Sequence, residues 1–250
     1  MKKYFKVKLE LDPNEVDRVI EKSISEEIKG YVCSVERNVM TTAHNSVEYR
    51  NVVNNALVNI CDGSFVARCI GIAHKRSFPT YIGADLFVKY VKKGIYNQYF
   101  LGNTPDILNG LKNNLRKWDS KIDSMSFKTL PFKNVEDFDY EKIANEINES
   151  NPDIIWVSLG APKQEYFMSN LLPFLNKGVL FGFGAIFNFY SGDKKLKRAP
   201  KIFLKFNLEW LYRMIQEPKK NFQRNWSFLK ICPTLILEER RNIKNTISKI

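Results

Sequence analysis

Ile154-Ile155-Trp156-Val157-Ser158-Leu159-Gly160-Ala161-Pro162-Lys163-Gln164-Glu165 is the stretch whose reading decides the fold. Its first six residues are almost all apolar and are bounded by turn residues, the pattern of a buried strand. Gly160 lets the chain turn closely, Pro162 suits the start of a helix, and helix-compatible residues follow to about 175. A buried strand that turns directly into a helix is the unit of a parallel sheet covered on both faces.

The same alternation continues outward. Strands are expected over 4–11, 31–35, 56–60, 98–101, 124–130 and 178–183, and helices over 13–29, 36–55 with a break near Asn45-Ser46, 83–93, 105–118 and 139–149. Thr104 can cap the helix that Pro105 opens. Everything after Pro200 reads as helix, with breaks at Pro218 and Pro233. The expectation is an α/β core over 1–200 and a helical appendage over 201–250. Ligands in such sheets bind beyond the carboxyl ends of the strands. That singles out the loops at Asp62-Gly63, Gly102-Asn103-Thr104, 160–164 and 182–192.

Charge is unevenly spread. Residues 194–250 hold fifteen Lys/Arg against four Glu and no Asp, so nearly all of the net charge of +12 lies there. A basic tail on a near-neutral body implies an anionic partner, such as lipid headgroups, a lipid diphosphate or nucleic acid, or else a solvated face. No nucleic-acid fold signature accompanies it. The apolar face formed by Leu208, Leu211, Tyr212 and Ile215 beside basic residues suits an interfacial helix. Met1-Lys2-Lys3 is not followed by an apolar run, so no signal peptide is expected. No stretch is long and apolar enough to span a bilayer. Cys33, Cys61, Cys69 and Cys232 form no C-x-x-C pair and read as reduced, mostly buried thiols of a cytosolic protein.

Several segments carry chemistry. At Gly160-Ala161-Pro162-Lys163-Gln164 a helix N-terminus and two side-chain donors come together, which suits a diphosphate or a sugar hydroxyl as well as an ordinary strand-to-helix turn. Gly182-Phe183-Gly184 is a G-x-G without the strand–GxGxxG–helix unit of dinucleotide sites. Asp137-Phe138-Asp139 is a D-x-D of the kind that holds a metal–nucleotide pair, but it lies in an acidic loop before a helix, where Asp139 reads as the N-cap, and it is set aside as a metal site. His44 and His74 have no partners nearby in sequence and read as surface or core residues.

Asp62-Gly63, Tyr81-Ile82-Gly83-Ala84-Asp85-Leu86, Phe100-Leu101-Gly102, Gly160-Ala161-Pro162-Lys163-Gln164-Glu165, the 182–192 loop, Arg198-Ala199-Pro200 and Glu209-Trp210-Leu211-Tyr212-Arg213 through Glu217-Pro218 occur in an order that resembles the WecG/TagA/CpsF glycosyltransferases. The likeness runs from about residue 31 to 226. It implies a Rossmann-like α/β core with a basic C-terminal appendage that touches the membrane and helps complete the active site. It also implies inverting transfer of a sugar from a UDP-sugar, an N-acetylhexosamine such as ManNAc or a hexose, to an undecaprenyl-diphosphate-linked sugar, with no cofactor and no metal. Such products feed teichoic acid and cell-surface polysaccharide synthesis, on the inner face of the cell membrane.

Carried over by position, Asp62 resembles the catalytic base. The chemistry fits, since inverting transfer needs one carboxylate to take the acceptor's hydroxyl proton, although Asp-Gly is also among the commonest turns. Ser34, Glu36, Gly102, Gly160, Lys163, Gln164, Glu165 and Gly184 fall at donor-site positions. Arg198, Arg213, Lys219, Lys220 and Arg224 fall where the family supplies cations to a diphosphate, with lysine standing at 219 and 220 where arginine is frequent. Ser34-Val35-Glu36 departs from the family's Thr-x-Asn, and Asn188 stands where Asp is frequent. Two alternatives stay open: a nucleotide- or nucleic-acid-binding protein, and a homologue that binds lipid-linked sugar without catalysis. The sequence leaves oligomeric state open, a homo-oligomer included.

Overall fold

Two short strands, β1 (Lys2–Tyr4) and β2 (Val7–Leu9), pair antiparallel across a turn at Phe5-Lys6. Both turn residues have positive φ, 54° and 68°. The sequence predicts one strand over 4–11, because the turn lacks the Gly or Asn that usually announces such a conformation. The computed structural model describes residues 1–193, 196–205 and 208–247. Lys194, Lys195, Asn207 and Lys249, all within the predicted basic tail and appendage, lie outside the described residues.

The chain then alternates between layers. α1 (Pro13–Ser25) is capped by Asp12, whose carboxylate accepts from the Asn14 N–H at 2.9 Å. β3 (Gly30–Val35), α2 (Arg37–Asn45), α3 (Val47–Asn54) and β4 (Val58–Cys61) follow, with Ser46 capping α3 at the predicted break. Next come α4 (Ser64–His74), α5 (Gly83–Lys92), β5 (Gln98–Gly102), α6 (Pro105–Leu115), β6 (Ser126–Lys128) and α7 (Tyr140–Ser150). Thr104 and Asp139 cap α6 and α7 as their positions suggested. β7 (Ile154–Ser158), α8 (Lys163–Leu171), β8 (Val179–Gly182) and α9 (Ile186–Ser191) complete the core. α10 (Lys201–Lys205), α11 (Glu209–Gln216) and α12 (Pro218–Ile247) end the chain.

Six strands form one sheet in the order β4-β3-β8-β7-β5-β6, every neighbouring pair parallel. Alternate side chains enter two cores. Tyr31, Cys33, Leu101, Ile155, Val157 and Leu180 lie in one, and Val32, Phe100, Ile154, Trp156 and Phe181 in the other. Both faces are covered, so the strands read as continuous apolar runs. All strand carboxyl ends therefore open on one side of the molecule.

Three expectations need correction. Residues 64–74 form α4, which the sequence reading left unassigned. Residues 186–191 form a helix inside the predicted 182–192 loop. No break occurs at Pro233, which lies inside α12. Its missing N–H costs a hydrogen bond, but Phe228 and Leu235 are buried on either side of it, and α12 packs along α2 and α4. That packing outweighs the loss. Among the described residues no helix is long and apolar enough to cross a membrane.

Candidate active site

A cavity of about 550 Å³ opens at the carboxyl ends of the strands. Each predicted loop contributes to its wall. Ser34 and Glu36 come from the end of β3, Asp62 from β4, Asn103 and Thr104 from β5, Gly160 and Gln164 from β7, and Gly184 and Asn188 from β8. Glu209, Trp210, Arg213, Lys220 and Arg224 close it from α11 and α12.

Asp62 lies on the cavity wall, next to Gly83, whose missing side chain leaves room for Oδ2. Burial pushes its carboxyl up to about 6. The Ser34 hydroxyl donates to Oδ2 and pulls it down, Glu209 pushes it up, and Arg213 pulls it down again. A carboxylate that titrates just below neutral pH suits proton abstraction at pH 7. Glu36 caps α2, its Oε1 accepting from the Val39 N–H at 3.3 Å. This capping task can be done by Asn or a carboxylate alike.

Gln164 is only 4% exposed, and its side chain is fully occupied. Nε2 donates to the Gly182 carbonyl at 2.8 Å and to Glu165 Oε1 at 2.9 Å, while Oε1 accepts from the Gly160 N–H at 3.1 Å. Gln164 thus shapes the loop after β7 and ties it to β8. Gly160 has φ +78°, a conformation that favours glycine. A side chain at Gly184 would meet the Gly160 backbone at 2.6 Å, so the two loops touch directly.

Other predicted residues lie off the cavity wall. Glu165 is fully buried behind it, its carboxyl pushed up to about 7 by burial, with Oε2 lacking a hydrogen-bond partner. Lys163 turns outward, donating to the Lys133 carbonyl and lying over the rings of Phe132 and Phe138. Gly102 packs against the Ser158 backbone. Arg198 pairs with Asp85 and donates to Tyr190 Oη at 2.7 Å, fastening its segment to α5 and α9. Lys219 is exposed in the first turn of α12. His74 joins Glu239 at 2.9 Å on the far side of α12.

Residues to which sequence reasoning gave no role also line the cavity, some of them within the loops it singled out. Asn103 Nδ2 donates to Ser158 Oγ at 3.1 Å and to Asn188 Oδ1 at 3.0 Å, joining three strand ends. Arg37, the first residue of α2, lies over Phe65 at 4.8 Å, and Phe65 meets Trp210 edge-on at 5.4 Å. Arg213 lies over Phe189 at 4.9 Å. These aromatic contacts seat α11 on the rim. Being the first residue after a cap, Arg37 carried no signal beyond its charge. Among the described residues no cluster of three or more His, Cys, Asp or Glu is placed to hold a metal ion.

Comparison with known proteins identifies the family. A family model described as the glycosyl transferase WecG/TagA/CpsF family matches residues 3–245. An N-acetylglucosaminyldiphosphoundecaprenol N-acetyl-beta-D-mannosaminyltransferase of Bacillus subtilis (strain 168) is 27% identical over 232 residues, covering 90% of this chain and 86% of its own. A protein of the same name from Bacillus spizizenii (strain ATCC 23059 / NRRL B-14472 / W23) is 25% identical over 217 residues, covering 86% and 81%.

Proposed function

Because this chain belongs to the WecG/TagA/CpsF family of glycosyl transferases, we propose that it moves a sugar from a UDP-sugar to an undecaprenyl-diphosphate-linked sugar, with inversion. The donor sugar is an N-acetylhexosamine such as N-acetylmannosamine, or a hexose, and the product enters teichoic acid or surface-polysaccharide synthesis. The observation that carries the reading is Asp62. Its carboxyl lines a cavity at the strand ends, raised by burial to about 6, with cationic side chains of α11 and α12 across from it.

In this mechanism Asp62 takes the proton of the acceptor hydroxyl as that oxygen bonds to the anomeric carbon. The bond from that carbon to the diphosphate breaks, and its electron pair leaves with UDP. Arg213, Lys220 and Arg224 face the same cavity and suit the negative charge of a diphosphate. Two diphosphates meet this rim in the reaction, the donor's and the acceptor's, and the relatives' names specify the second of them. Work at the inner membrane face without metal or other cofactor is part of the same proposal.

The test is UDP release from a panel of UDP-sugars, with and without a synthetic lipid-diphosphate-linked N-acetylglucosamine. The expected result is acceptor-dependent release from at least one donor, reduced about 10²–10⁴-fold in Asp62→Asn. Release that Asp62→Asn leaves intact would remove Asp62 from the mechanism. No release from any donor by a folded wild-type chain would favour a homologue that binds without catalysis.

A further inference from the structure

Arg37 is a half-buried cation of the cavity wall that the sequence motifs do not include. It lines the wall between the end of β3 and the rim formed by α11 and α12. Its Nη1 is shut away from solvent with no hydrogen-bond acceptor. The planar group lies over Phe65, a contact that fixes its place and supplies no acceptor. An unmade hydrogen bond on a buried charge is costly, so a purely structural arginine would be a poor choice here.

Burial holds the Arg37 guanidinium below its ordinary value, and Arg213 and Arg224 act in the same direction. Glu36 and Asp62 oppose them. Glu36 is engaged in capping α2, and Asp62 accepts from Ser34. Three guanidinium groups from α2, α11 and α12 therefore line one cavity, and burial is the largest force against the Arg37 charge, ahead of the attraction of Glu36. A polyanion with several acceptor oxygens would supply the missing hydrogen bond and the missing charge together.

We propose that Arg37 is a diphosphate ligand, the third guanidinium of a clamp completed by Arg213 and Arg224, and that it holds the phosphates of the nucleoside diphosphate donor. The inference rests on the glycosyl-transfer reading of this cavity. The core contributes a fork of its own beside the cations of the last two helices.

Calorimetric titration of UDP, uridine and inorganic diphosphate into wild type, Arg37→Gln and Arg37→Lys tests this. The expected result is a loss of UDP affinity of at least about tenfold in Arg37→Gln, with Arg37→Lys intermediate and uridine unchanged. The ligand-free melting temperature of Arg37→Gln should equal or exceed that of wild type, because the change removes a desolvated charge with an unmade hydrogen bond. UDP affinity unchanged in Arg37→Gln overturns the proposal, and so does equal weakening of UDP and uridine. Should Arg37→Gln not fold, Arg37→Lys decides by the same UDP-against-uridine comparison. If wild type binds no UDP, the donor reading falls and inorganic diphosphate decides. Binding lost in Arg37→Gln keeps the clamp and assigns it to the lipid-linked diphosphate, while equal binding or none ends it.

Discussion

At Asp62, burial raises the carboxyl to about 6 while the Ser34 hydroxyl pulls it back. The base form therefore accumulates as pH rises through about 6. The rate of acceptor-dependent UDP release at low substrate should climb over that range. Ser34→Ala removes a hydrogen bond to the charged form, so the acid limb should move upward by about one pH unit. A limb that stays fixed in Ser34→Ala would separate the two groups functionally. Glu165 offers a stability counterpart. Its ordinary value is 4.5 and burial lifts it to about 7. Between those values the folded chain keeps a proton that the unfolded chain has released, so stability falls as pH climbs through the window. Glu165→Gln removes that penalty and keeps the acceptor for Gln164. It should be close to neutral at pH 4.5 and stabilising by roughly 3 kcal/mol at pH 8. Denaturant melts at the two pH values check this, and an effect independent of pH would contradict it. The loops holding Asp62 and Gln164 were legible because parallel strand ends converge, while the roles of Asp62, Ser34 and Gln164 came from the family resemblance. The burial of Glu165 was not. It is set by non-local neighbours such as Tyr49 of α3, which adjoins its carboxyl.

Among the elements, the sheet was legible because strands buried on both faces leave continuous apolar runs, as at 154–158. Helices that bury small or mixed residues left weaker traces. α9 hides among aromatics that equally suit a strand or loop, and α4 begins at a glycine with no side-chain cap. What places α9 is its partner α6. A Cβ on Gly110 of α6 would fall on the carbonyl oxygen of Ser191, at the end of α9. The Asn114 side chain donates to the Tyr190 carbonyl at 3.0 Å one turn further along. The two backbones meet with no room for a methyl group, and a carbonyl cannot rotate aside as a side chain can. Gly110→Ala should therefore force the helices apart and destabilise the fold by about 1–3 kcal/mol, more than offsetting alanine's better helix propensity. Because α9 carries Asn188 and Phe189 into the cavity wall, donor affinity should weaken in the same variant. A thermal melt and a UDP titration read the two effects. Unchanged values in both would mean that α6 and α9 yield more easily than their backbone contact suggests.

On the scale of the whole molecule, α12 joins the cavity to the far side of the core. Near its start Lys220 and Arg224 face the cavity. Toward its end Glu239 is buried, accepting from the Phe5 N–H at 2.9 Å and meeting His74, and Lys6 pairs with Glu238 at 2.7 Å. Asn221, Phe228, Leu235 and Glu239 form the buried stripe. A second stripe at helical spacing, Phe222, Trp226, Leu229 and Leu237, stays exposed, with Phe222 at 61% and Trp226 at 53%. Lys219, Lys220 and Lys230 flank it. An apolar stripe bordered by lysines is the composition of a helix that lies in a membrane interface. It shares its half of α12 with the cavity rim but lies on another side of the helix, since Phe222 and Trp226 each stand two residues beyond Lys220 and Arg224, so the stripe would bring the lipid surface beside the cavity without lining it. That arrangement suits an acceptor whose lipid stays in the bilayer while its sugar enters the cavity. Burying each aromatic in the headgroup region should contribute about 1.5–3 kcal/mol. Phe222→Ser with Trp226→Ser should then lower partitioning onto anionic phospholipid vesicles by about a hundredfold or more. The binding that remains should weaken steeply with salt, because only the lysines would carry it. UDP release with a water-soluble acceptor analogue should be unchanged, since neither aromatic lines the cavity. Vesicle binding equal to wild type would remove the membrane from this stripe. Its exposed aromatics would then be better explained by a second copy of the chain, which sedimentation of wild type and the double variant would reveal.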